Sequence, residues 1–149
     1  LRGPLAAGFR VTSVAPARHG AMALLFLIVN IAILVFLVVN YFSQNLMPPV
    51  NLLLSLDHSI FVGVMTNSIL GLIVLFRRPV GAMIDHLVFA GLNLGITGFI
   101  IGLLLDNTLL KRLSTPVLGI AILLAIVVSI GTLGEPEGEA RPMTPQRAR

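Results

Sequence analysis

Hydrophobic residues run along this chain in four long blocks, and polar residues gather in the breaks between them. The first block, AMALLFLIVNIAILVFLVVNYF from Ala21 to Phe42, is interrupted only by Asn30, Asn40 and the amphipathic Tyr41. At about 1.5 Å of rise per residue it is long enough to cross roughly 30 Å of hydrocarbon. It reads as a retained span over 21–43. A secretory signal would have a shorter core followed by small residues, whereas this block runs into Tyr41-Phe42-Ser43-Gln44. Met47-Pro48-Pro49 breaks the helix, and a second block over 50–76 carries Asp57, His58, Thr66 and Asn67 before Arg77-Arg78-Pro79 ends it. A third, over 80–105, holds Asp85, His86, Asn93 and Thr97 among five glycines and closes at Asp106-Asn107. A loop over 107–112 then leads to Ser114-Thr115-Pro116, where a capping hydroxyl and a proline in the first turn predict the start of a fourth span over 115–133.

The pattern predicts an all-α integral membrane four-helix bundle of up-down topology over 21–133. A polar tail over 1–20 and a Pro- and Gly-punctuated tail over 134–149 lack apolar periodicity and are expected to be flexible. His19 falls in the first of these tails and is set aside. Because the chain opens on Leu1, its true start is expected to lie upstream.

Composition makes lipid the solvent. Of 149 residues, 56% are hydrophobic and 11% charged, with a mean hydropathy of +1.00. Soluble domains carry about a quarter charged residues, and one of this size could not hide so much apolar surface. The absence of cysteine excludes disulfides, thiolate metal sites, iron–sulfur clusters and cysteine nucleophiles. No metal site is predicted. The formal charge of +4 comes almost wholly from arginine, and no basic patch interleaved with aromatics suggests nucleic-acid binding. With both termini inside, the inner face holds Arg2, Arg10, Arg18, Arg77, Arg78 and the tail arginines, and the outer face only Lys111 and Arg112. The positive-inside rule therefore predicts cytoplasmic ends. The arginine bias with abundant Ala, Gly and Val suggests a bacterial inner (cytoplasmic) membrane. Nothing resembles a phosphate loop, a metalloprotease helix or a nucleophile elbow, so no catalytic residue is predicted.

Ionisable groups within a span cost at least ~2.5 kcal/mol near its centre and ask for a reason. Asp57-His58 and Asp85-His86 open two similar heptads, DHSIFVG and DHLVFAG, which would run in opposite directions through the membrane. The histidines then lie on opposite sides of the midplane and cannot share one iron within a protomer. Projection at 100° per residue puts His86, Ala90, Asn93 and Thr97 on one stripe of the third span and Gly91, Gly95, Gly98 and Gly102 on the opposite one. Such a glycine stripe lets a neighbouring backbone approach closely, so this helix should be central or at a subunit interface. Gly63, Asn67 and Gly71 form a similar small stripe in the second span. His58 lies opposite them, with Val62, Met65 and Ile69. It is either a neutral imidazole bonded to a neighbouring helix or an axial heme ligand, with His86 the weaker candidate. Asp57 and Asp85 are either headgroup-level residues or entrances to a proton or cation path that continues through Asn67, Asn93 and Thr97.

The segment H-S-I-F-V-G-V-M-T-N-S-I-L-G, with His58, Gly63, Thr66 and Gly71, resembles the histidine-bearing helix of the heme-copper oxidase subunit I superfamily and is closest to its short four-helix relatives. The stretch G-L-N-L-G-I-T-G-F after His86 has a similar texture. The resemblance implies a low-spin heme ligand at His58 alone. Leu56 stands where a further histidine often precedes, and no histidine cluster exists for copper. It therefore implies an oxidase-like or oxidase-associated protein of a respiratory membrane complex, lacking the oxygen-reducing centre. The competing expectations are a small oligomeric proton, cation or solute transporter and a structural packing subunit, acting as a homo-oligomer or within a larger complex.

Overall fold

The computed structural model describes residues 15–77 and 80–133. The expectations for residues 1–14 and for the 134–149 tail lie outside it. It is an all-α four-helix bundle, with four helices long and apolar enough to cross a membrane. The chain is a multi-pass membrane protein.

Helix α1 spans Ala15–Asn40. It therefore begins inside the stretch expected to be a flexible tail, and takes Arg18 and His19 into the bundle. A short 3-10 turn, Phe42–Gln44, follows and ends on Asn45, whose φ of 56° is a left-handed conformation that asparagine tolerates better than most residues. Helix α2 runs unbroken over Val50–Phe76. Its middle, Ser59–Thr66, is π-helical. Helix α3, Ala82–Leu104, ends in a Schellman motif: the amide of Asn107 donates to the carbonyl of Gly102 and that of Asp106 to Leu103, with Asp106 left-handed at φ 50°.

Helix α4 spans Thr108–Leu133 and starts earlier than Ser114-Thr115-Pro116 suggested. The cap is Asn107, whose Oδ1 accepts from the amide of Leu110 at 3.0 Å. Thr115 turns its hydroxyl back to the carbonyl of Lys111, and Pro116 sits inside the helix, where it costs a hydrogen bond to the carbonyl four residues earlier. The expected loop over 107–112 is thus mostly the first turn and a half of α4.

Helix α3 is the central helix. One of its faces packs along the length of α4, and the other meets α2 and, more slightly, α1. A Cβ built on Gly91 would lie 2.9 Å from Ala121 Cβ, one on Gly95 2.8 Å from the amide nitrogen of Leu118, and one on Gly102 2.9 Å from Lys111 Cγ; Gly98 receives the hydroxyl of Ser114. The glycine stripe is therefore the seat of α4. In α2, Gly63 receives Phe26 of α1, and a Cβ built on Gly71 would lie 3.2 Å from His19 Cβ. Met22, Phe26, Ile96 and Ile100 make the apolar centre between these contacts. The outer faces carry exposed Ile, Leu, Val and Phe in numbers that suit lipid as the surrounding solvent. Lipid tails are as apolar as leucine, so close packing and polar bonds must hold the helices together.

Gly95→Ala is expected to destabilise the bundle by about 1–3 kcal/mol, because the added methyl meets backbone that cannot yield. Gly119→Ala, with open space around its Cα, should be neutral within about 0.5 kcal/mol. Reversible denaturation in detergent, followed by far-UV circular dichroism, reads both.

Candidate functional site: a buried polar seam

Along α2 the residues Asn51, Ser55, Ser59, Gly63, Asn67 and Gly71 recur at a spacing of four. In a regular α-helix each such step would rotate the stripe by about 40°, and the run would wind onto the lipid face. The wider π turns of Ser59–Thr66 slow that rotation, and all six positions stay turned inward, with Ser55, Ser59, Gly63 and Asn67 buried. A π segment disturbs the regular backbone ladder, and in lipid any carbonyl left over needs a partner from the protein. Side chains bond the backbone at both ends of the segment. Asn30 of α1 donates through Nδ2 to the carbonyl of Leu56 and to Ser59 Oγ, each at 2.7 Å. Asn67 donates to the carbonyl of Gly63 at 2.8 Å.

Asn67 also joins three helices. Its Nδ2 donates to Asn93 Oδ1 at 2.9 Å, and Asn93 Nδ2 returns a longer bond of 3.3 Å to Asn67 Oδ1. Asn93 donates as well to the carbonyl of Phe89 on its own helix. The two donor bonds fix the orientation of the Asn67 amide, so its Oδ1 must accept from His19 Nδ1 at 3.0 Å. His19, set aside on sequence alone, is almost fully buried, and its ring meets Phe89 edge-on.

All three histidines are engaged through Nδ1, and they differ in whether that nitrogen donates or accepts. Arg18 Nη1 donates to His86 Nδ1 at 2.7 Å, which uses that lone pair and leaves the proton on Nε2. His58 donates Nδ1–H to the carbonyl of Leu54 at 2.8 Å, which leaves Nε2 with a free lone pair, and its ring lies 4.9 Å from Phe99. Phe99 is near the end of α3 and Arg18 near the start of α1, so His58 and His86 sit toward opposite ends of the bundle.

The two Asp-His pairs are also unlike. Asp85 is ion-paired with Arg77 across the α2–α3 turn. Asp57 is exposed. Thr97 is half-buried, one turn beyond Asn93, and is not joined to the asparagine pair. At the far end Asp106 accepts from Asn51 Nδ2 and Lys111 Nζ, both at 3.0 Å, and closes the seam. Among the described residues no cluster of three or more His, Asp or Glu side chains could hold a metal ion.

Sequence reasoning found Asn67, Asn93 and the glycines but missed Arg18, His19, Asn30, Ser55 and Ser59. The four-residue spacing in α2 was the available signal; an assumed period of 3.6 hides it.

Two outcomes test this geometry. Asn67→Ala should cost about 0.5–2 kcal/mol, and its double-mutant cycle with Asn93→Ala should give a coupling near 0.6 kcal/mol, both by denaturation in detergent. Lys111, first by hydrogen bond and then by charge, with Asn51 adding to it, holds the Asp106 carboxyl below the usual carboxylate range. Its contribution to stability is therefore present above the ordinary carboxylate pKa and is lost as pH falls through the lower folded-state value. Carbon-13 NMR should show Asp106 titrating at a higher pH in Lys111→Met than in the parent protein. Comparison with protein-family models, curated proteins and solved structures finds no match to this chain.

Proposed function

We propose that this protein is a non-catalytic accessory bundle of a larger membrane assembly in a bacterial cytoplasmic membrane, with both ends on the cytoplasmic side. Its buried polar residues hold helix register; they neither conduct nor react. The observation that carries this reading is that the amides of the core are consumed by one another. Asn30 is spent on α2, Asn67 on His19, Asn93 and its own helix, and Ser55, Ser59 and Asn67 are wholly shielded. A transport path needs polar groups facing water or cargo. Asp85 is bound by Arg77, and Asp57 can lie at headgroup level, because α2 has 27 residues where about 20 span the hydrocarbon.

The respiratory character of that assembly rests on the resemblance around His58, Gly63, Thr66 and Gly71. One specific observation favours a heme-linked second reading: the Nδ1 bond to Leu54 orients the His58 imidazole and leaves Nε2 available as an axial ligand. Among the described residues, none of the four cavities at the bundle's two ends is lined by His58. The apolar groove and the basic chamber of this chain lie toward the other end of α2 and are not lined by it. A heme there would need a wall from a partner or a second copy.

In proteoliposomes, proton and potassium flux should equal that of empty vesicles; flux that Asp85→Asn abolishes would overturn the accessory reading in favour of transport. Heme added to purified protein should give a Soret shift that His58→Ala removes and His86→Ala keeps. A preparation that stays colourless rejects the heme reading and leaves the accessory role standing.

A further inference from the structure

At the arginine-rich end of the bundle two features meet that the polar seam does not use. Between α2 and α4 lies an apolar groove of about 540 Å³, running from Thr66 and Ile122 to Ile73 and Ile130. It covers about 10–12 Å of helix axis at 1.5 Å per residue, which is the depth of one leaflet from near the midplane outward. Its lower walls, Leu70, Ile73, Ala125 and Ser129, also line a small chamber that contains Arg18, His19, Arg77 and Asp85.

Among the described residues that chamber is short of negative charge. Two guanidiniums face one carboxylate, while His19 is bonded to Asn67 and His86 to Arg18. The Arg77 side chain is only 6% exposed, and its Nη1 has no hydrogen-bond partner among the described residues; neither has Nε of Arg18. A buried cationic N–H without a partner costs more than an ordinary unmade hydrogen bond, so a natural acceptor is expected there. The chamber itself has about 20 Å³, room for little more than one oxygen-sized group. An acceptor larger than that, able to offset the remaining positive charge, must therefore stand at its mouth, along the walls it shares with the apolar groove.

We propose that this groove and chamber form a binding site for an anionic phospholipid. One acyl chain lies along Ile69, Ile73, Ile122 and Ile126, and the phosphate stands at the headgroup level, directing an oxygen to Arg77 Nη1, with Arg18 adding charge. Apolar length, leaflet depth and a buried guanidinium N–H without an acceptor together fit a ligand with a chain on one side and an anion on the other.

The test is lipid retention by native mass spectrometry of the full chain from nanodiscs containing equal phosphatidylglycerol and phosphatidylcholine. The parent protein should retain phosphatidylglycerol at least tenfold over phosphatidylcholine. Arg77→Gln should bring that ratio near one. Ile126→Trp fills the groove from a wall that does not line the chamber and should lower retention of both lipids at least fivefold, so the proposal stays testable if Arg77→Gln does not fold. Inorganic phosphate in neutral detergent should leave the melting temperature unchanged, because the chain supplies the seat. Equal retention of both lipids by the folded parent protein would overturn the proposal, as would retention unaffected by Ile126→Trp or a melting shift with phosphate alone.

Discussion

Every part of this bundle depends on one constraint: in lipid a backbone carbonyl that leaves the helical ladder finds no water. Helix α2 leaves the regular ladder over Ser59–Thr66. Asn30 and Asn67 add bonds to the backbone at its two ends, the first reaching across from α1 and the second folding back on its own helix. Because Asn30 belongs to another helix, satisfying the π segment also fixes where α1 sits. Because Asn67 has amide capacity left over, it draws in Asn93 from α3 and His19 from α1. Backbone geometry, helix register and the polar seam are thus one arrangement.

Two packing chemistries divide the bundle. The α1–α2–α3 side is held by amide and hydroxyl bonds around a small apolar centre, and the α3–α4 side by glycine contacts with Ala121, Leu118 and Ser114. Helix α3 can serve both because its asparagine face and its glycine face point in opposite directions. Helix α4 meets α2 only slightly, which leaves the space between them as the apolar groove.

Much of this was legible beforehand. The four blocks, the break at Pro48-Pro49, the span over Val50–Phe76 and the close-packed role of the glycines follow from hydropathy and projection alone, because lipid exposure demands long uninterrupted apolar runs and bare backbone demands small residues. The first and last helices were drawn too short at their N-terminal ends. Arg18 and His19 look like tail residues until a partner helix gives them somewhere to bond, and the stretch over 107–112 reads as a loop because the cap, Asn107, doubles as the closing residue of the preceding helix.

By itself the sequence determined the medium, the number of crossings and the face on which each helix must pack closely, since all three depend on residue type and spacing. Only the tertiary structure decided which polar groups are partners. Hydrogen bonds such as those joining His19, Asn67 and Asn93, or Asn30 and Leu56, need donor and acceptor within about 3 Å, and residues dozens of positions apart reach that separation only after the helices have docked.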